Sequence, residues 1–263
     1  MKFNFENIFK RNQINFKVDF SIFKNKKILI TGVKGSIGKT ILKNLKRSII
    51  TGVDIEDDIT KSANLNKLRN IHFDYIFHLA ADKRATTAEE FPSQISLQNI
   101  VSTANIVKLK FKKLIFASTC KAADPITSYG ASKLICERIV LNAGGTVVRF
   151  VNVFDSSLSV TKIWNSLKSK DVPVTSCKRF FIKLQEAVDL MLKVAEFEPN
   201  RYCIRGLKLF SMYTIAKNIY PNRKIKKIKL RFGDRPIEKL VGTFEKEIKF
   251  NNQISRIVDI WGI

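Results

Sequence analysis

The chain has 263 residues, of which 45% are apolar and 27% charged, enough to bury a large core in one generous domain or a domain with a lobe, which excludes wholesale disorder. Forty-seven Lys and Arg against 23 Asp and Glu give a net charge of +24, which suits an anionic partner such as a phosphorylated ligand, a membrane surface or nucleic acid. Because the lysines are scattered over the whole chain and no nucleic-acid motif is present, the charge reads as a solvated basic surface, and nucleic acid is not an expected partner.

Residues 1–25 form an arm in which Phe5, Ile8, Phe9, Phe16, Phe20 and Phe23 stand among lysines; this pattern predicts a segment that packs on the body or on a partner subunit. Lys27 to Thr31 then reads as a buried strand, Gly32 to Gly38 as a glycine turn and Lys39 to Leu45 as the start of a helix. The apolar runs Ile49 to Val53, Tyr75 to Leu79, Lys113 to Ala117 and Thr146 to Phe150 have strand length, and helical stretches such as Ser93 to Leu109 and Ser128 to Leu141 separate them. Such alternation predicts an α/β fold, a Rossmann-type doubly wound parallel sheet over 26–154. From about Asp155 the pattern loosens, with Pro173 and a basic strand-like stretch Lys226 to Arg231, so 155–263 is expected to be mainly a small, discontinuous C-terminal substrate-binding lobe, with a helix near 185–197 returning to the sheet.

Cys120, Cys136, Cys177 and Cys203 have neither metal-ligand spacing nor the density of a disulfide framework, and only His72 and His78 could join them, so no metal site is expected. Reduced thiols, no apolar run of the ~20 residues a membrane span needs, and no signal-type segment after Met1 to Lys10 predict a cytoplasmic protein.

The run Thr31-Gly32-Val33-Lys34-Gly35-Ser36-Ile37-Gly38 sets glycines three apart between a strand and a helix, where backbone N–H groups and the helix dipole can receive a pyrophosphate. Asp54 closes the next strand, where a carboxylate can accept both hydroxyls of an adenosine ribose, which favours NAD over NADP. Glu56, Asp57 and Asp58 are near enough to compete for that role, and Asp58 and Ile59 are alternatively placed beside the adenine. Tyr-x-x-x-Lys occurs three times, at Tyr129/Lys133, Tyr213/Lys217 and Tyr220/Lys224, but only the first opens a helix just after a sheet strand. Its i,i+4 spacing puts phenol and ammonium on one face, where the cation can lower the phenol pKa so that a phenolate takes the proton of a sugar hydroxyl as hydride leaves. Thr119, at the end of the preceding strand, can hydrogen-bond the same oxygen.

Together with His78-Leu79-Ala80-Ala81, Lys83, Asn99, Ser118-Thr119-Cys120-Lys121-Ala122, Pro125 and Tyr129-Gly130-Ala131-Ser132-Lys133, these residues resemble the extended short-chain dehydrogenase/reductases, and among them the capsular polysaccharide-biosynthesis group that includes nucleotide-sugar 4,6-dehydratases. Arg149 to Val153, Arg179 to Ile182 and Arg231 to Asp234 with Glu238 are similar to that group's substrate-lobe motifs. The resemblance implies an NAD(P)-dependent enzyme that oxidises sugar C4, removes the C5 proton and expels the C6 hydroxyl. Thr119, Cys120, Lys121, Tyr129 and Lys133 are its catalytic set, with Lys121 the base and Cys120 standing where the group carries an acidic Asp. It further implies that Leu79, Ala80, Ala81, Lys83 and Asn99 border the cofactor, that Asn152, Arg179 and Arg231 meet the substrate, and that helices such as Ser93 to Leu109 pair subunits into a homodimer or higher oligomer.

Two departures keep the reaction open. A thiol is an unusual acid, and the stretch from Asp54 to Asp74 is too brief for the usual helix and extra strand, as in reductases of nucleotide-linked 4-keto sugars. A UDP- or dTDP-linked sugar is the expected substrate, with 4,6-dehydration first, 4-keto reduction or 4-epimerisation second, and a non-catalytic dinucleotide-binding protein as the reading of another class.

Overall fold

The structure, a computed structural model, describes residues 4–260 apart from 155, 157–158, 168–170 and 231–232, and all their side chains but those of 85 and 86. Arg231, expected to meet the substrate, therefore lies outside the described residues.

The centre is an eight-stranded sheet. Strands β1 (Lys27–Thr31), β2 (Ile49–Val53), β3 (His72–His78), β4 (Lys110–Thr119) and β5 (Thr146–Phe150) run parallel in the order β2-β1-β3-β4-β5. Four consecutive residues of β1 and all five of β5 are buried, which requires cover on both faces. On one face Ile28, Ile30, Phe77, Ile115 and Val148 pack with the arm residues Phe16 and Phe23 and with Leu190 and Met191 of the Leu184–Lys193 helix. On the other, Leu29, Phe73, Ile76, Leu114, Phe116 and Val147 meet Ile106, Cys136 and Val140. The Leu184–Lys193 helix thus packs on this face of the sheet.

Beyond β5 the sheet continues with Arg201–Ile204, parallel, then Ile254–Asp259 and Glu245–Lys249, both antiparallel to their neighbours. The expected division at 154/155 is corrected accordingly: three strands assigned to the lobe complete the main sheet. Between β2 and β3 the chain makes only short turns of helix, Ile55–Asp57, Ser62–Leu65 and Asn66–Arg69, so β2 is the sheet's edge and the extra strand is missing, as the short spacing predicts. The lobe proper is built on Phe154, Trp164, Val172, Val174, Phe181, Met212, Ile215 and Ile219, and the arm residues Phe5, Ile8 and Phe9 complete its core. The arm is held there by Arg11, whose guanidinium donates to both oxygens of the buried Glu186 at 2.6 and 2.8 Å. Lys226 lies in the Ile225–Ile228 strand, which pairs with Val172–Thr175 in the lobe.

The helical stretch expected over Ser93 to Leu109 is observed from Pro92 to Ile106, with one wider π turn at Leu97–Val101. At the end of this turn the Asn99 carbonyl accepts from the Ser102 N–H and also from Thr103 Oγ1 at 2.7 Å, Ser102 Oγ at 3.2 Å and Cys136 Sγ at 3.2 Å.

Candidate active site

The chain order reverses at β1, which lies between β2 and β3, and a cleft of about 220 Å³ opens there at the strands' carboxyl ends. Gly32, Gly35, Ser36, Ile37 and Gly38 form one wall; Leu79, Ala81 and Lys83 the next; and Thr119, Tyr129, Lys133, Phe150 and Val151 the far end. Gly32 has φ +71°, and a Cβ there would come 2.9 Å from the Ala80 backbone nitrogen; at Gly38 it would come 2.4 Å from the Gly32 carbonyl oxygen. Only glycine lets the turn lie this close to β3 and lets the Ser36–Asn44 helix start against it, with its N-terminal turn on the cleft wall. This donor set fits a dinucleotide pyrophosphate.

Asp54 accepts backbone N–H from Lys34 at 2.6 Å and from Ile55 at 2.9 Å, which ties the glycine turn to the end of β2. A carboxylate has about four lone-pair sites, so capacity for ribose hydroxyls remains. Glu56 pairs instead with Lys34 Nζ at 2.5 Å, and Asp57 accepts the Asp54 N–H at 2.7 Å. Asp58 is held by Thr60 and Lys61, and Ile59 is buried in the sheet core. Neither Asp58 nor Ile59 is on the cleft wall. Asn99 is buried, with its side chain bonded to the Asp82 N–H, the Asp82 carbonyl and Ser132 Oγ, so it braces the wall instead of facing the cleft.

The reaction centre is set by β4 and the Ser128–Asn142 helix, whose first turn is capped by Thr127 Oγ1 accepting the Gly130 N–H at 3.0 Å. Thr119 ends β4 and lines the cleft together with Tyr129. Tyr129 and Lys133 are both buried, and burial dominates both: it drives the phenol up to about 12 and the ammonium down to about 8. Lys133 Nζ donates to the Ala117 carbonyl at 2.7 Å and stands 3.9 Å from the Phe116 ring centroid, while the cation that counters burial at Tyr129 is Lys121. The other two Tyr-x-x-x-Lys pairs belong to the lobe helix Met212–Ile219 and the chain after it.

A second, smaller recess adjoins this one and is lined by Cys120, Lys121, Thr127, Arg179, Asp234 and Glu238. Cys120 is buried, and burial pushes its thiol up to about 12. Arg179 spends its guanidinium on the Arg235 carbonyl at 2.6 Å and Asp234 at 3.2 Å, so here it anchors the chain after 233. Asn152 donates to the Phe180 carbonyl at 2.9 Å and to Glu238 at 2.8 Å. Glu238, which sequence reasoning left among motif markers without a role, is thus brought into the site. Its signal was only its place after Gly233-Asp234, and nothing in spacing put it near position 120.

The model of the polysaccharide biosynthesis protein family matches residues 46–259, most of the chain. The chain belongs to that family. Among polysaccharide biosynthesis proteins and their kin it is 28% identical to a UDP-N-acetylglucosamine 4,6-dehydratase (inverting) of Campylobacter jejuni, over 87% of this chain and 81% of the relative. It is also 28% identical to a UDP-glucose 4-epimerase of Rickettsia bellii, over 85% and 80%. The solved structure of Pen from Bacillus thuringiensis superposes with TM-score 0.76 at 27% identity, covering 90% of each chain. This member of the family is therefore a nucleotide-sugar enzyme of the extended short-chain dehydrogenase/reductase type, and a solved neighbour at 20% identity, a dTDP-4-dehydrorhamnose reductase from Bacillus anthracis, is in complex with NADP. No helix among the described residues is long and apolar enough to cross a membrane.

Proposed function

We propose that the protein is an NAD(P)-dependent nucleotide-sugar 4,6-dehydratase acting on a UDP- or dTDP-linked sugar. The observation that carries this reading is the join between the two cavities. Thr119 and Tyr129 line the dinucleotide cleft, and the next two residues of the chain, Cys120 and Lys121, line the recess beside it. A sugar across that join presents C4 to the hydride-transfer site and C5 and C6 to proton-transfer groups. When bound, NAD supplies the ring that accepts hydride and returns it. The protein's part is to orient the sugar, to move the C4 hydroxyl proton through Tyr129 and Thr119, and to handle the C5 proton and the departing C6 hydroxyl through the recess. Asp54 favours NAD. The half-exposed Leu97 and Ile135, on two helices flanking the site, support a homodimer or higher oligomer, and a cytoplasmic location follows from the nucleotide-sugar substrate.

A thiol at 120 and the missing edge strand support a second reading, reduction or epimerisation at C4. A non-catalytic dinucleotide-binding protein is the reading of another class, and the intact set Thr119, Tyr129 and Lys133 speaks against it. Purified protein is incubated with NAD and UDP-N-acetylglucosamine, UDP-glucose or dTDP-glucose, and products are weighed by mass spectrometry. Loss of one water supports dehydration. Consumption of NAD(P)H with a supplied 4-keto sugar nucleotide, without water loss, establishes the reductase instead. Tyr129→Phe is expected to abolish turnover while sparing cofactor binding, and undiminished turnover in that variant refutes the site.

A further inference from the structure

Glu238 is 7% exposed and lies in the wall of the recess. Its Oε2 accepts the Phe180 N–H at 3.0 Å and Asn152 Nδ2 at 2.8 Å, which fixes the carboxylate. Its Oε1 faces Lys121 Nζ at 3.9 Å, and the same carboxylate shares the recess wall with the buried Cys120 thiol. The position that resembles the dehydratases' acid therefore holds a thiol, and a carboxylate from a distant part of the chain sits against that thiol.

We propose that Glu238 supplies the proton for leaving-group departure in the elimination, in place of a carboxylic acid at position 120, and that it exchanges this proton with Lys121. The inference rests on the dehydratase reading. In the resting pair the proton is on Lys121: the groups facing it are Cys120, Glu238, Tyr129 and Arg179, and although burial works against the ammonium, its pKa is raised overall. Thiol and phenol are each pushed up to about 12, and the carboxyl group that faces the cation is that of Glu238, at 3.9 Å.

Transfer of that proton to Glu238 makes a neutral amine and a carboxylic acid. Once C4 is a ketone, its C5–H bond is acidified. The amine takes the C5 proton, the C5–H electron pair becomes the C5–C6 double bond, and the C6–O bond breaks. The departing oxygen receives its proton from Glu238, directly or through the Cys120 thiol, which gives up its own proton as it accepts the one from Glu238. Water leaves, and Lys121 is again an ammonium beside a carboxylate. No net proton has to enter the recess during the elimination; the proton that C5 takes up when hydride returns to C6 is matched by the one the C4 hydroxyl gave up to Tyr129.

The test compares wild type, Glu238→Gln, Cys120→Asp and the double variant in deuterated water with NAD and the three sugar nucleotides, reading dehydrated product and deuterium at sugar C5 separately. In Glu238→Gln elimination is expected to fall by about 10²-fold or more, the scale of a lost general acid, while C5 exchange persists because Lys121, without the carboxylate that raises its pKa, gives its proton to solvent. A merely structural role would lose both together. Adding Cys120→Asp to Glu238→Gln is expected to restore elimination, whereas Cys120→Asp alone, which sets two carboxylates against one ammonium, is not expected to raise it.

Elimination within about threefold of wild type in Glu238→Gln overturns the inference, and so does joint loss of elimination and exchange. The titration of Lys121, followed by NMR of ¹³C-lysine protein and assigned with Lys121→Arg, is read without substrate. Removing Glu238 is expected to lower it by about one unit or more, and an unchanged value overturns the pairing. If wild type dehydrates none of the sugars the dehydratase reading fails, while that titration still decides the pair.

Discussion

Arg149 is the side chain whose loss should matter most to the frame. Buried on β5, it donates through Nε and Nη2 to Glu137 at 3.1 and 2.6 Å, through Nη1 and Nη2 to Glu245 at 2.6 and 2.9 Å, and through Nη1 to the Leu240 carbonyl at 3.0 Å. Glu137 belongs to the Ser128–Asn142 helix and accepts from Ser118 Oγ at 2.5 Å, so one guanidinium joins β4, β5, the catalytic helix and the segment that follows Glu238. Arg149→Met leaves two carboxylates, the Glu137 one fully buried, with Arg201 as the remaining partner. Breaking such a buried network from one side costs about 3–5 kcal/mol. At about 2 °C per kcal/mol for a chain of this size, Tm should drop by about 6–10 °C in calorimetry at neutral pH. Combining Arg149→Met with Glu137→Gln should cost less than the sum of the two by about 1 kcal/mol or more, since the second change removes the stranded charge. A Tm change under about 2 °C for Arg149→Met, or strict additivity, would refute the reasoning. The network also predicts acid sensitivity. Although burial raises Glu245, its bonds to Arg149 hold it below the ordinary 4.5, so its share of stability is present above that value and lost as pH falls through the lower folded one.

Gly130→Ala puts a Cβ 2.4 Å from the Lys121 carbonyl oxygen and 3.1 Å from Pro125 Cβ, so the 120–125 turn must move. A stability loss of about 1–3 kcal/mol with a fall in kcat is expected, and an unchanged Tm would contradict it. His78 is buried between Thr31 and Thr103, at 2.7 and 3.0 Å, and burial drives its pKa from 6.5 to about 3. Because the unfolded chain takes up that proton first, stability should be full above 6.5 and decline as pH falls toward 3. NMR showing His78 titrating near 6.5 in the folded protein would refute this.

The parallel sheet, the glycine turn and the start of the catalytic helix were legible in the chain because each depends on contacts within a few tens of residues. A buried apolar run, a turn that excludes a Cβ and an i,i+4 pair leave periodic or positional traces. The missing edge strand was legible for the same reason, since the residues between β2 and β3 are too few to build it. Long-range pairing left no such trace. Arg201–Ile204 and the Glu245–Asp259 hairpin extend the main sheet although the chain before them has already passed through the lobe, and sequence order assigned them to that lobe.

The site divides in the same way. Thr119, Tyr129 and Lys133 could be named from spacing, but that Lys121 also acts on the phenol depends on how the Cys120–Ala122 turn after β4 folds back beside Tyr129. Glu238 meets Cys120 across 118 positions of chain, and the meeting is set by hydrogen bonds from Phe180 and Asn152 that only the assembled lobe supplies. Sequence alone determined the local chemistry on offer, and tertiary structure decided which groups share a proton, because a charge is tuned by neighbours in space whatever their separation along the chain.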